Sequence, residues 1–224
     1  MLYQIRTYIT FLLKSTNQHG VHSPFVYGLL TKCIYKKNVI PEALKAYRKE
    51  QGTTISIKRQ NTLYKIARYL SPSEMLVLET SLGIATTALS LANPNGRLTT
   101  IEESVDTINK THRNISRFKL RNTVGSTPTF EAFCSAQTFQ KKFDLVYIGP
   151  QSKQNMLAYF KQLVPNAQEN CVFIFNNMYH NKTVTKAWQK IIADPKVTVS
   201  IDGFYLGFVF FRTTQEKQHF TLRL

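Results

Sequence analysis

The stretch that decides the fold is VLETSLGIATTALSLA, residues 77 to 92. Its pattern is that of a strand end, a tight turn around Gly83 and the start of an apolar helix. In α/β proteins such a turn binds anionic or nucleotide-type ligands, because the first backbone amides of the helix are unpaired. The turn holds one glycine, and Glu79 stands where a small residue is expected. Three interpretations follow: a cofactor site, the remains of one, or a well-capped helix.

Strands and helices alternate from residue 75 onward. The predicted strands are 75–79, 97–103, 120–125, 143–149 and 171–177, followed by two strands within 196–212. This alternation predicts a parallel sheet with helices on both faces, and the last two strands add an antiparallel hairpin. We therefore expect a Rossmann-like α/β domain over residues 73–224.

Residues 1–72 are predicted to form a helical extension in front of this domain. Apolar residues recur at helical spacing near the start of the chain. Ser23 followed by Pro24 is a helix start signal, with the serine as N-cap. Residues 1–70 contain 12 Lys and Arg against 2 Asp and Glu, within a net charge of +16 for the whole chain. This extension would suit an anionic partner such as nucleic acid, although no RNA-binding motif is present and a solvated basic surface is the simpler interpretation.

The three cysteines, Cys33, Cys134 and Cys171, are scattered without metal-ligand spacing. This pattern argues against a disulfide framework and a zinc site, and it favours a cytoplasmic protein. No apolar run approaches the roughly 18 residues that a membrane-spanning helix requires.

The ligand site is expected where the carboxyl ends of the parallel strands meet, in four turns. These turns are residues 79–83, 102–106, 149–153 and 176–181. Glu102 follows Gly83 by 19 residues and ends the second strand. Its two carboxylate oxygens match the vicinal hydroxyls of a ribose, which favours an adenosine-type cofactor. The alternative, a glutamate that caps the next helix, is equally compatible with the spacing.

Three blocks of the chain resemble the class I S-adenosylmethionine (SAM)-dependent methyltransferases, and more narrowly a bacterial branch of that family. They are HGVHSPFVYGLL, LETSLGIATTALSLA with TTIEE, and the C-terminal AWQKI with VSIDGFYLGFVFFR. The resemblance spans nearly the whole chain and implies a seven-stranded sheet and SAM as cofactor. It implies that Glu102 binds the ribose, and that Thr80, Ser81 and Gly83 bind the methionine part.

The departures from the family pattern fall on the chemistry. The family's first loop reads close to E-L-G-T-S-L-G, which places Val77 at the acidic position and Glu79 at the first glycine. Glu79, expected on the same strand face as Val77, would supply the missing carboxylate, or else the cofactor site is weakened or lost. The acids that hold a metal in related O-methyltransferases are replaced by Gly149, Asn176 and Asn177, so no metal is expected.

The sequence thus favours a SAM-dependent methyltransferase-like protein that acts without a metal on a small or medium acceptor, whose identity stays open. His180, in NNMYHNK, is the candidate general base, with an exposed loop histidine as the alternative. The second hypothesis is a catalytically inactive protein of this fold that binds a partner through its basic N-terminal region. A third, RNA methylation, has no catalytic motif to support it.

Overall fold

The computed structural model describes residues 2–37, 40–50, 57–79, 83–102, 104–126, 129–135, 142–150 and 155–224, without the side chains of residues 48 and 50. The α-helices in these ranges are α1 (Leu2–Lys14), α2 (Pro24–Leu29), α3 (Glu42–Glu50), α4 (Ile57–Leu70), α5 (Ile84–Ala92), α6 (Val105–Arg117), α7 (Phe130–Ser135), α8 (Met156–Leu163) and α9 (Lys182–Ala193). The strands are β1 (Glu74–Leu78), β2 (Arg97–Ile101), β3 (Thr123–Ser126), β4 (Leu145–Ile148), β5 (Val172–Asn176), β6 (Val199–Asp202), β7 (Leu206–Phe210) and β8 (Gln218–Thr221). Short 3₁₀ turns occupy Gln18–Gly20 and Val164–Asn166, and one π-helical turn continues α2 over Leu30–Ile34.

The strands form one sheet in the order β3-β2-β1-β4-β5-β7-β6-β8. Strands β1 to β5 are parallel, and β7 runs antiparallel between β5 and β6. The predicted parallel sheet with an antiparallel hairpin is therefore confirmed. The predicted number of seven strands is wrong, because β8 adds an eighth, parallel to β6. Its HFT segment lies among charged and polar residues, so it lacks the apolar signal of a buried strand.

The two faces of the sheet bury separate apolar clusters. One cluster joins the sheet to α2, α4 and α5 and includes Val77, Tyr147 and Ile174. The other joins the opposite face to α7, α8 and α9 and includes Leu76, Leu78 and the chain's one tryptophan, Trp188. Successive strand residues alternate between the clusters, as the pleat requires. The central strands are thus covered on both sides, which explains their continuous apolar sequences.

The N-terminal region packs on the α/β domain. Ser23 is the N-cap of α2, as predicted, and its Oγ accepts a hydrogen bond from Val26 N at 3.4 Å. Residues of α2 and α4 belong to the same apolar cluster as the central strands. The hydroxyl of Tyr3 donates to Thr185 Oγ1 of α9 at 2.9 Å, so α1 also contacts the far helix layer. Among the described helices, none has both the length and the apolarity needed to cross a bilayer.

Candidate functional site

The sheet reverses its strand order between β1 and β4, and their carboxyl ends are in close contact. Gly149 N donates to Leu78 O at 2.8 Å. A Cβ atom added to Gly149 would lie 2.0 Å from the carbonyl oxygen of Glu79, so only glycine fits beside this backbone. In open α/β sheets the crevice at such a reversal is the usual ligand site.

Glu79 does not continue β1. Its φ is 50°, in the left-handed region, and its side chain is buried. The carboxylate accepts a short hydrogen bond from the Tyr159 hydroxyl of α8, in the cluster on the face opposite to Val77. The expectation that Glu79 shares a face with Val77 is therefore wrong. The left-handed residue breaks the alternation of the strand and turns the carboxylate toward Tyr159, whereas its role toward a cofactor stays a prediction.

Gly83 forms the start of α5, as its spacing predicts. It is the N-cap with φ 72°, a conformation that suits glycine, and its carbonyl accepts a hydrogen bond from Thr87 N at 2.9 Å. Tyr47 of α3 and Asn114 of α6 lie beside it, joined by a 3.0 Å hydrogen bond from Asn114 Nδ2 to the Tyr47 hydroxyl. The other two predicted loop residues, Thr80 and Ser81, lie outside the described residues.

Glu102 lies directly after β2 and is 3% exposed. Its carboxylate acts electrostatically on Tyr147 of β4, so the two side chains are near each other at the carboxyl edge. Thr100 lies in β2, two residues before Glu102, and its buried Oγ1 has no hydrogen-bond partner within the described part of the chain. Buried polar groups are normally paired, so this hydroxyl is an open polar position beside Glu102.

Tyr147 and Asn176 form a buried pair at the ends of β4 and β5. Asn176 Nδ2 donates to the Tyr147 hydroxyl at 2.8 Å, while Asn176 Oδ1 has no partner among the described residues. Burial raises the pKa of Tyr147, against the opposing effects of Asn176 and of Arg59, so the phenol keeps its proton at neutral pH. Tyr147 belongs to the apolar cluster, but its hydroxyl, together with Asn176 and Glu102, also forms a polar edge at the carboxyl ends of the strands.

Arg59 is a residue of this edge that sequence reasoning missed. Its guanidinium lies 4.6 Å from the centroid of the Tyr205 ring, and it interacts electrostatically with Tyr147. Burial lowers the pKa of Arg59, and its Nε has no hydrogen-bond partner in the described chain. A signal was present in the sequence: Arg59 lies one helical turn before the buried Leu63, so it is on the inward face of α4.

His180 lies in the turn after β5 and is half-buried. Its backbone N–H donates to Asn177 O at 3.0 Å, and its Nδ1 lies 3.5 Å from Asn177 Nδ2. Asn177 adopts φ 64°, a left-handed conformation that asparagine tolerates in turns. These two contacts hold the histidine within its own turn.

The ends of β4 and β5, where acids hold a metal in related O-methyltransferases, offer few anionic donors in this protein. Position 149 has no side-chain donor, and the amide nitrogen of Asn176 is directed at Tyr147. Within the described ranges, no group of three or more His, Cys, Asp or Glu side chains is close enough to hold a metal ion.

Comparison with solved structures identifies the fold. The O-methyltransferase of Bacillus cereus in complex with S-adenosylhomocysteine (SAH) superposes with a TM-score of 0.62 at 19% identity, over 83% of this chain and 95% of that one. The SAH-bound methyltransferase PaMTH1 of Podospora anserina gives 0.66 at 13% identity, over 86% and 97%. The fold is that of the class I methyltransferases. The O-methyltransferase TomG of Streptomyces achromogenes, with SAM bound, agrees: 0.61 at 18% identity, over 88% and 99%.

At the level of sequence, no protein-family model matches the chain, and neither does any curated protein. The methyltransferase fold is thus shared with proteins whose sequences have diverged from this one at more than four positions in five. Such divergence leaves the fold intact, because packing tolerates substitution where volume and patterning are kept. A catalytic or binding activity tolerates substitution less well than the fold does, so the function depends on the residues at the edge of the sheet.

Proposed function

We propose that this protein is a SAM-dependent methyltransferase that acts without a metal ion on a small or medium acceptor. The observation that supports the proposal most directly is the combination of Gly83 and Glu102 at the reversal of strand order. Gly83 starts α5 in a left-handed conformation, and Glu102 places a buried carboxylate after the neighbouring strand. A helix start and an acid in this arrangement suit the two ends of an adenosyl cofactor.

The described residues fit this cofactor in part. Glu102 would accept hydrogen bonds from the ribose hydroxyls, with the open hydroxyl of Thr100 nearby on the same strand. The amides at the start of α5 would hold the carboxylate of the methionine part. Val77 supplies no acid for the amino group of the methionine part, and the carboxylate of Glu79 is directed at Tyr159 instead. We therefore expect weaker cofactor binding than an acid at position 77 would give.

The cofactor supplies an activated methyl group on its sulfonium, and transfer is an in-line displacement in which positioning does most of the work. The chain's own residues would orient the acceptor and exclude water. Tyr147 keeps its proton and can donate a hydrogen bond, and Arg59 stabilises negative charge on the acceptor. His180, at the neighbouring turn, would take up the acceptor's proton.

The donor set at the ends of β4 and β5 supports the proposed independence from a metal ion. Magnesium prefers anionic oxygen ligands, and the ends of β4 and β5 offer glycine and an amide that is already bonded to Tyr147. Activity that persists in excess chelator would support this part of the proposal, and activity that requires added magnesium would refute it.

The test of cofactor binding is calorimetric titration of the purified protein with SAM and with SAH. We expect Glu102→Gln to weaken binding by about 10- to 100-fold, because hydrogen bonds to a charged group contribute about 1.5–3 kcal/mol. Glu216→Gln, which changes an exposed glutamate, is the matched control and should bind as the wild type does. Unchanged binding in Glu102→Gln would contradict the ribose assignment.

A second function, partner binding by an inactive protein, is favoured by the packing around Gly83. Tyr47 and Asn114 stand beside this glycine, and Tyr47 is fully buried, so the chain itself fills space next to the loop. If this hypothesis holds, neither SAM nor SAH binds at millimolar concentration. Binding of a polyanion such as heparin would then fall steeply with salt, and it would depend on the basic N-terminal region.

A further inference from the structure

A cavity of about 310 Å³ opens between α1, the start of α4 and the turn that joins β6 to β7. We propose that it binds a planar anion of the aromatic carboxylate class. Its lining includes Tyr8, Arg59, Phe204 and Tyr205, and we call it the basic aromatic pocket. The volume is at the lower end for small-molecule sites, so it suits one or two rings rather than a polymer.

The positive charge of the pocket favours an anionic ligand. Lys58, Arg59 and Arg223 line it, and none of its described lining residues is an Asp or Glu. Arg223 is held by neutral partners, since its Nε and Nη2 donate to Ser15 Oγ at 3.2 Å and Ser15 O at 3.0 Å. Arg59 leaves its Nε without a partner among the described residues. A partly buried cation in these surroundings is stabilised by a bound carboxylate.

The aromatic walls of the pocket favour a planar ligand. The rings of Tyr8 and Phe204 meet edge to face at 4.8 Å, and those of Phe204 and Tyr205 do so at the same distance. Tyr8 is 39% exposed and Tyr205 is 42% exposed, so an entering molecule can reach them. The guanidinium of Arg59 already lies over the Tyr205 ring, which holds a flat donor in place. Aromatic rings next to such a donor favour a ligand with a ring and a carboxylate.

The turn that supplies Phe204 and Tyr205 is fixed. Phe204 has φ 65°, and its N–H donates to Asp202 Oδ1 at 2.8 Å. The carbonyl of Tyr205 accepts a hydrogen bond from Asn177 N at 2.8 Å, which ties this wall to the end of β5. A bulky residue in a left-handed conformation is strained, and such strain is found where a binding site requires it. The pocket is thus preformed rather than built around its ligand.

Arg59 connects the pocket with the polar edge of the sheet. It lines the pocket and acts electrostatically on Tyr147, which is bonded to Asn176 at the end of β5. A ligand held by Arg59 would therefore lie next to the strand ends. Its assignment as the methyl acceptor rests on the proposed function, whereas binding itself requires neither SAM nor methyl transfer.

The experiment is calorimetric titration of the full chain, without SAM, with para-hydroxybenzoate and with its neutral isostere para-hydroxybenzamide. We expect para-hydroxybenzoate to bind at least about 10-fold more tightly than para-hydroxybenzamide, because only the carboxylate forms a charge-assisted hydrogen bond with Arg59. Equal binding of the two molecules, or no binding of either at millimolar concentration, would overturn the inference.

Two variants locate the binding. Arg59→Gln should abolish the preference for the carboxylate, and Tyr205→Leu should weaken binding of both molecules through loss of the ring. Lys161→Gln removes one charge from an exposed site on α8 and should leave the titration unchanged. Thermal unfolding checks that each variant is folded. A preference that survives Arg59→Gln, or that disappears equally in Lys161→Gln, would count against the pocket.

The titrations with and without SAM separate the two proposals. If the carboxylate binds in an Arg59-dependent way and SAM does not bind, the pocket stands and the acceptor role falls with the proposed function. If SAM binds and the carboxylate shows no preference over the amide, the proposed function stands and the pocket inference fails. An oligonucleotide that binds through Arg59 while the carboxylate does not would also overturn it, in favour of a polymer.

Discussion

Glu79 ends β1 with a left-handed residue, a conformation that costs non-glycine residues about 1–2 kcal/mol. Hydrogen bonds from its backbone and its side chain hold it there. Its N–H donates to Ile101 O at 2.9 Å, and its carboxylate accepts from the Tyr159 hydroxyl. A buried carboxylate with such a donor is stabilised, whereas one deprived of it bears part of its desolvation cost. The pair Glu79–Tyr159 therefore fixes the direction in which the chain leaves the strand.

At this scale we predict that Tyr159→Phe lowers the free energy of unfolding by about 1–3 kcal/mol, because it removes a donor from a buried carboxylate. Urea denaturation measures the change. The control is Tyr27→Phe, at a tyrosine that is 48% exposed, for which we expect less than about 0.5 kcal/mol. Equal effects of the two substitutions would show that the contact with Glu79 contributes nothing specific.

Helix α6 ends in a left-handed residue that is a lysine instead of the usual glycine. Lys119 has φ 51°, where glycine is the usual residue. Its N–H donates to Ser116 O at 3.3 Å, and Leu120 N donates to Ile115 O at 3.0 Å, which is the Schellman pattern. The pattern satisfies the last carbonyls of α6, so the helix ends at this position although no glycine marks it in the sequence.

We accordingly predict that Lys119→Gly raises the free energy of unfolding by about 0.5–1 kcal/mol, because glycine adopts this conformation without strain. The matched control, Lys110→Gly, changes a residue inside the same helix and should destabilise by about 1 kcal/mol. Urea denaturation of the two variants should therefore shift in opposite directions. A loss of stability in both would mean that Lys119 is not strained.

At the scale of the whole molecule, the N-terminal helices and the sheet share one apolar cluster. Ile66 of α4 is fully buried within it, whereas Trp188 lies on the opposite face of the sheet. Residues on both sides of the predicted boundary after residue 72 contribute to this cluster. We therefore expect the extension and the α/β domain to unfold together.

The corresponding prediction is that Ile66→Ala lowers the free energy of unfolding by about 2–5 kcal/mol, through lost burial and the cavity left behind. Trp188 fluorescence and far-UV circular dichroism should report the same shifted transition. Ile57→Ala, at the 53% exposed first residue of α4, should change stability by less than about 0.5 kcal/mol. Separate transitions by the two probes would indicate that the extension unfolds on its own.

Several features were predictable from sequence because their causes are local. The strand and helix alternation follows from apolar periodicity, and the Ser23 cap follows from side-chain chemistry next to Pro24. The turn at Gly83 needs a residue in the left-handed conformation, and a glycine at this position of the sequence indicates such a turn. The strand β8 was missed because its neighbours in the sequence are polar and because it pairs with β6 residues that lie 19 positions earlier in the chain.

The sequence by itself thus determined the alternation of strands and helices, the parallel sheet with its antiparallel hairpin, and the position of Gly83 and Glu102 at the edge of the sheet. Only the tertiary structure decided that Glu79 turns to Tyr159 and that Arg59 meets Tyr205 and Tyr147. The physical reason is that propensity and periodicity act between neighbours in the chain. The direction of a polar side chain instead depends on partners from distant elements, which are brought together only when the core packs.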